Sequence, residues 1–142
     1  DPDIYTKIRA IKGSEWTEKF ASEVYENVKK HRYFITNLGK CTQLDARPLP
    51  DCVYKKYLNL LETEIELIQP KVVILFGNQV SSIVLGEKIS VSQCRCKLFQ
   101  KCINGKEYDC YSVFYPVGNG RFHIDKAIDD ISYIIRTLKD KE

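Results

Sequence analysis

Apolar residues recur at helical spacing in three stretches of the chain and run without interruption in a fourth. From Ser14 onward, Trp16, Phe20, Val24 and Val28 repeat every fourth residue, the spacing of one helix face. Ser14 is placed to cap the first turn, and Lys29, Lys30 and His31 suit a helix C-terminus. A second helix starts close to Asp51 and carries Val53, Tyr57, Leu60, Leu61, Ile65 and Ile68 until Pro70 stops it. A last helix, with Asp125 as its expected cap, buries Ala127, Ile128, Ile131, Ile135 and Leu138. A short helix is expected over residues 79–85, before Gly86.

Val72-Val73-Ile74-Leu75-Phe76 is the uninterrupted run, the mark of a strand buried on both faces, and Gly77-Asn78 close it. Tyr33-Phe34-Ile35-Thr36 is a second β-prone run, ending in the turn Asn37-Leu38-Gly39. Residues 97–103 and 106–114 read as the arms of a hairpin around Asn104-Gly105, a dipeptide that suits a two-residue type I′ turn. In that register Cys102 faces Glu107 and Cys110 faces Phe99, so the two thiols lie on opposite sides of the ribbon and do not pair. Strands alternating with helices predict an α/β fold, as a three-layer α/β/α sandwich around a mostly parallel central sheet and a single domain over residues 1–142.

Composition narrows this picture. A chain of 142 residues, 44% apolar and 29% charged, has enough material for one core and is not a disordered tail. No apolar run approaches the roughly 20 residues of a membrane span, and no basic-then-apolar leader opens the chain. A soluble, cytoplasmic protein is expected, and nothing in the pattern calls for more than a monomer. The chain has no methionine and starts at Asp1, so residues upstream are expected. A net charge of +3 tolerates a nucleic acid partner without requiring one. Six cysteines admit a disulfide framework, but they are unevenly spaced in a chain able to bury its own core, and free thiols are expected. Cys94-Arg95-Cys96 could share a metal. With no partner pair at zinc spacing, ordinary strand cysteines are the default.

In an α/β sheet, ligands bind in the crevice beyond the C-terminal ends of the strands. That rule selects two loops, each following a predicted strand: residues 37–52 and residues 116–121. The first holds the Asn37 amide, Lys40 and the thiols of Cys41 and Cys52; the second holds Gly118, Gly120 and Arg121. Asn37 either reads a ligand edge or bonds its own backbone as a turn residue. The basic side chains either meet phosphates or are simply solvated.

Taken together, Tyr33-Phe34-Ile35-Thr36-Asn37-Leu38-Gly39-Lys40-Cys41, Arg47-Pro48, Cys52 and Pro70-Lys71 with the strand that follows resemble the uracil-DNA glycosylase superfamily. The likeness is closest to its iron–sulfur branch, often called family 4, in which a strand ending in T-N-x-x-K-C precedes an R-x-P loop and a second cysteine. The resemblance implies that Asn37 reads the edge of a flipped-out uracil with its carboxamide donor and acceptor. It implies that Cys41 and Cys52 are two of the four thiolates of a [4Fe–4S] cluster, the other two lying upstream. It also implies a DNA partner, with Lys40, Arg47, Arg121 and the backbone amides of Gly118 and Gly120 at its phosphates.

The family's first motif, which carries the acid that orients the attacking water, is expected before residue 1, together with the first strand. Asp3 and Glu15 then read as solvated surface charges. Where the family has a histidine beside proline to stabilise charge on the departing base, this chain has Tyr115-Pro116, with residues nearby expected to wedge into the DNA. Tyr115 is either a substitute hydrogen-bond donor or a packing residue; a phenol and an imidazole are different catalysts. His31 and His123 fall outside the motif, in helix-end or surface roles. The implied function is hydrolysis of the N-glycosidic bond of a deaminated base, in DNA repair. The alternatives are a non-catalytic or altered-specificity relative that binds nucleic acid and, should the match be chance, a small-molecule α/β enzyme.

Overall fold

The computed structural model describes residues 2–45 and 47–140, with the side chains of Pro2 and Asn119 excepted. Asp1, and the Asn119 side chain within the glycine-rich loop, therefore lie outside the described residues. The chain divides into two compact units, Asp1–Asn37 and Leu38–Glu142.

The first unit is helical. Helix α1 (Pro2–Ala10) precedes the expected first helix; it has proline at its first helical position, where a missing N–H is tolerated, and Asp3 paired with Lys7 one turn on at 2.9 Å. Helix α2 (Glu18–Lys30) starts later than the apolar spacing suggests. Thr17, not Ser14, is its cap, accepting from the Phe20 amide at 3.1 Å, while Ser14 sits in a separate 3-10 turn, Gly13–Glu15. Trp16 lies outside the helix and meets Phe20 edge-on, ring centroids 5.0 Å apart. Tyr33-Phe34-Ile35-Thr36 is not a strand: the run has no regular structure, and Tyr33, Phe34 and Ile35 are exposed. β-propensity expresses a fit to a neighbouring strand, and the described residues of this unit contain none.

The second unit holds α3 (Asp51–Lys56), α4 (Leu58–Ile68), β1 (Val73–Phe76), α5 (Asn78–Leu85), β2 (Phe99–Ile103), β3 (Lys106–Val113) and α6 (Ile124–Lys139). The helix expected from Asp51 to Pro70 is thus two helices broken at Tyr57. The sheet order is β1-β3-β2, with β1 parallel and β2 antiparallel to β3. Mixed helix and strand is what the pattern predicts, but this small sheet is mixed where a mostly parallel one is expected, because the hairpin arm β2 joins the sheet it was read beside. The hairpin register agrees residue by residue, Cys102 opposite Glu107 and Cys110 opposite Phe99, with Cys102 exposed and Cys110 buried. All six cysteines are free.

Alternation along β3 divides the core between its two faces. Tyr108 and Cys110 pack with Leu61 and Ile65 of α4, Leu75 of β1, and Ile83 and Val84 of α5. Tyr111 and Val113 pack with Ile134 of α6, joined by Val72 and Ile74. The expected stripe of α6 holds in part: Ala127 is buried and Ile131 and Leu138 pack against this cluster, whereas Ile128 is 52% exposed and Asp130 and Ile134, outside the expected set, are buried. His123 occupies the N-cap position of α6 without a side-chain bond, and Asp125 lies in the first turn, where it favours the helix dipole without capping it. Among the described residues no helix is long and apolar enough to cross a membrane.

Candidate functional site

The exits of β1 and β3 are neighbours, because the strands run parallel with Phe76 beside Val113. Gly77 continues the pairing by donating its amide to the Val113 carbonyl at 2.8 Å. Its φ of +86° is a conformation that glycine adopts freely, and a side chain there would press on Cβ of Tyr115, 3.2 Å from the added carbon. Tyr115 lies two residues beyond the end of β3 and is 54% exposed.

Behind Tyr115 the chain turns through the 3-10 segment Gly118–His123 into α6. Gly120 is required for this turn: a Cβ there would fall on the Tyr115 carbonyl oxygen. Its amide donates to the Val117 carbonyl at 3.1 Å, so it braces the loop and does not stand open for a phosphate, contrary to the expectation for Gly120. Gly118 has φ +61°, again a glycine conformation. The Arg121 guanidinium lies over the ring of Phe122, 5.1 Å from its centroid. His123 stacks at a tilt on Phe114, centroids 4.5 Å apart, and the Lys126 ammonium stands 5.8 Å from the Phe114 centroid.

The other loop, residues 38–52, is tied to the same strand exit by a residue the sequence does not single out. Gln79, in the first turn of α5 just beyond β1, donates to the Leu49 carbonyl at 3.1 Å and to the Asp51 carboxylate at 2.7 Å. Asn78 beside it accepts the Val91 amide at 2.9 Å. Gly39 lies against the Tyr54 ring, where a Cβ would come within 2.8 Å of a ring carbon. The predicted phosphate-binding cations of this loop are engaged internally: Lys40 reaches both Glu64 carboxylate oxygens at 2.9 Å, and Arg47 pairs with Asp45 through its guanidinium and, at 3.2 Å, its amide. Gln43 bonds the Arg47 and Pro48 carbonyls at 3.3 and 3.2 Å.

Cys41 and Cys52 are exposed free thiols, the second in the first turn of α3. A hydrogen bond with Cys41, and then the electrostatic influence of that side chain, raise the Tyr57 hydroxyl above its ordinary value. Among the described residues no three or more His, Cys, Asp or Glu side chains gather as a metal site. Asn37, the last residue of the first unit, is exposed and outside regular structure.

One further element holds the second loop. Asp130 on α6 is 1% exposed and receives the Arg95 guanidinium from Nε at 3.1 Å to each oxygen and from Nη2 at 2.9 Å. Cys96 Sγ donates to the same carboxylate at 3.4 Å. The C-x-C segment is therefore a turn before β2, not part of a strand, and Cys96 adopts φ +58° within it. Burial raises both of its thiols, which suits inert cysteines. The ion pair anchors α6, and through it the end of the glycine-rich turn.

Two loops border the exits of adjacent parallel strands, one presenting aromatic and cationic groups, at the end of the sheet where α/β proteins bind their ligands. The model of the uracil DNA glycosylase superfamily matches residues 9–137, and the chain belongs to that superfamily. Membership points to a glycosylase-like function, in a superfamily that acts on DNA.

Proposed function

We propose that the protein is a DNA glycosylase of the iron–sulfur branch, built on a three-layer α/β/α frame, that excises uracil from DNA as a monomer. The observation that supports this reading is the exit of β3, where Gly77 and Gly120 leave room for the Cβ and the carbonyl of Tyr115 and the tyrosine itself is exposed. In the proposed reaction the target nucleotide is extruded and Asn37 reads the uracil edge with its carboxamide. Water adds to C1′ of the sugar as the bond from C1′ to N1 of the base breaks, and the electron pair leaves with the base. Tyr115 donates a hydrogen bond to the oxygen on which that charge develops. The carboxylate that takes the water's proton is not assigned to a residue of this chain.

Cys41 and Cys52 offer thiolates suited to half of a [4Fe–4S] set, and both are free and exposed. A cluster held there would fasten the loop; hydrolysis needs no electron transfer. Arg121 supplies the DNA contact, with Lys40 and Arg47 bracing their loop.

A non-catalytic relative is the second reading, favoured by the phenol where the family carries an imidazole. Excision assays on the protein expressed from its complete open reading frame separate the two. Turnover that is lost in Asn37→Ala and reduced at least tenfold in Tyr115→Phe supports the glycosylase. Binding of uracil-containing DNA without release of base by folded protein supports the second reading instead.

A further inference from the structure

We infer that Phe122, backed by Arg121, is a stacking platform for an unpaired base, so that the strand held beside this site is single-stranded. The inference rests on the nucleic-acid reading of the site and specifies the form of its partner. Phe122 is 74% exposed, and Val117 and Ile124 on the same turn are exposed as well. A ring this exposed, with two further exposed apolar side chains on the same short turn, is open to a partner.

Three features select the partner. First, Arg121 lies over the Phe122 ring at 5.1 Å, so a positive charge accompanies the ring while most of its surface stays open. Aromatic rings interleaved with cations are the means by which single strands are bound without reading sequence, the base on the ring and the phosphate on the cation. Second, residues 114–124 contain Arg121 and no carboxylate, and Lys126 adds a second cation beside Phe114; the nearest acid in sequence is Asp125 on α6. Third, the turn is held before any partner arrives, by Gly120 on the Tyr115 carbonyl, by the Gly120 bond to Val117, and by the bond from the Ile124 amide to the Arg121 carbonyl. Little conformational freedom is left to lose on binding.

An unpaired base offers such a ring a free face, whereas bases in a duplex are already stacked on their neighbours. This differs from a wedge, which needs bulk alone. A leucine can serve as a wedge, but only a π-face can stack.

Fluorescence anisotropy with uracil-free 20-mers, single-stranded and duplex, tests the inference, with circular dichroism confirming that each variant is folded. The expected result is tighter binding of the single strand by the unaltered protein, weakened roughly tenfold in both Phe122→Ala and Phe122→Leu and kept in Phe122→Trp. Single-strand binding that is unchanged in Phe122→Ala, or fully retained in Phe122→Leu, overturns it, as does a preference for duplex. Because the probes contain no uracil, a protein that binds them as expected but never excises base refutes the glycosylase reading and leaves this one standing.

Discussion

In residues 38–52, both cations the sequence offers are turned onto carboxylates, Lys40 onto Glu64 and Arg47 onto Asp45, and the loop is braced by the amide groups of Gln43 and Gln79. In residues 114–123 the bracing is done by the backbone, with Gly120 seated on the Tyr115 carbonyl, and Arg121 lies on an exposed aromatic ring. The two loops border one strand exit with similar residue types, yet one spends its polar groups on its own shape and the other presents them. A basic residue in a loop sequence is therefore not a basic residue available to DNA; which it becomes depends on whether side chains or backbone hold the loop.

The largest effect is expected from breaking the anchor of the second loop. Arg95→Met leaves Asp130 buried and uncompensated and should lower stability by about 3 kcal/mol in urea unfolding. High pH should act on the strand that delivers that loop. Burial pushes the Cys110 thiol from 9.0 up to about 11. The folded state then keeps a proton that the unfolded chain releases above pH 9, so this stabilisation is complete below pH 9 and is lost as pH rises to 11. The loss should be about 2 to 3 kcal/mol between unfolding curves taken at the two ends of that range, and smaller in Cys110→Ala.

Gly120→Ala forces the turn off the Tyr115 carbonyl and should cost about 2 kcal/mol, with loss of single-strand binding. Gln79→Ala, which frees only two hydrogen bonds of the first loop, should cost about 1 kcal/mol and leave that binding within twofold of the unaltered protein. Equal damage to binding from the last two substitutions would erase the distinction between the loops.

What could be read in the sequence was local. Asn104-Gly105, with φ of +46° and +82°, fixes the hairpin register, and the run from Val72 to Phe76 contains β1 because a strand packed on both faces needs no alternation. The glycine-rich turn beyond β3 was legible for the same reason, whereas Tyr115 stood out only through the family resemblance. Long-range pairings were not. Lys40 and Glu64 are 24 residues apart and Arg95 and Asp130 are 35 apart, and no periodicity announces that an aspartate will replace an isoleucine in the buried stripe of α6. Tyr33-Phe34-Ile35-Thr36 shows the converse: a local preference for strand has no effect without a partner to pair with.

The most direct test is the time course of free uracil released from a single-stranded oligonucleotide with one uracil, by the protein expressed from its complete open reading frame. Multiple turnovers that leave an abasic strand, and that disappear in Asn37→Ala, are the expected result. An intact oligonucleotide after prolonged incubation with folded protein, single-stranded or annealed, would contradict the assignment of this site to uracil excision.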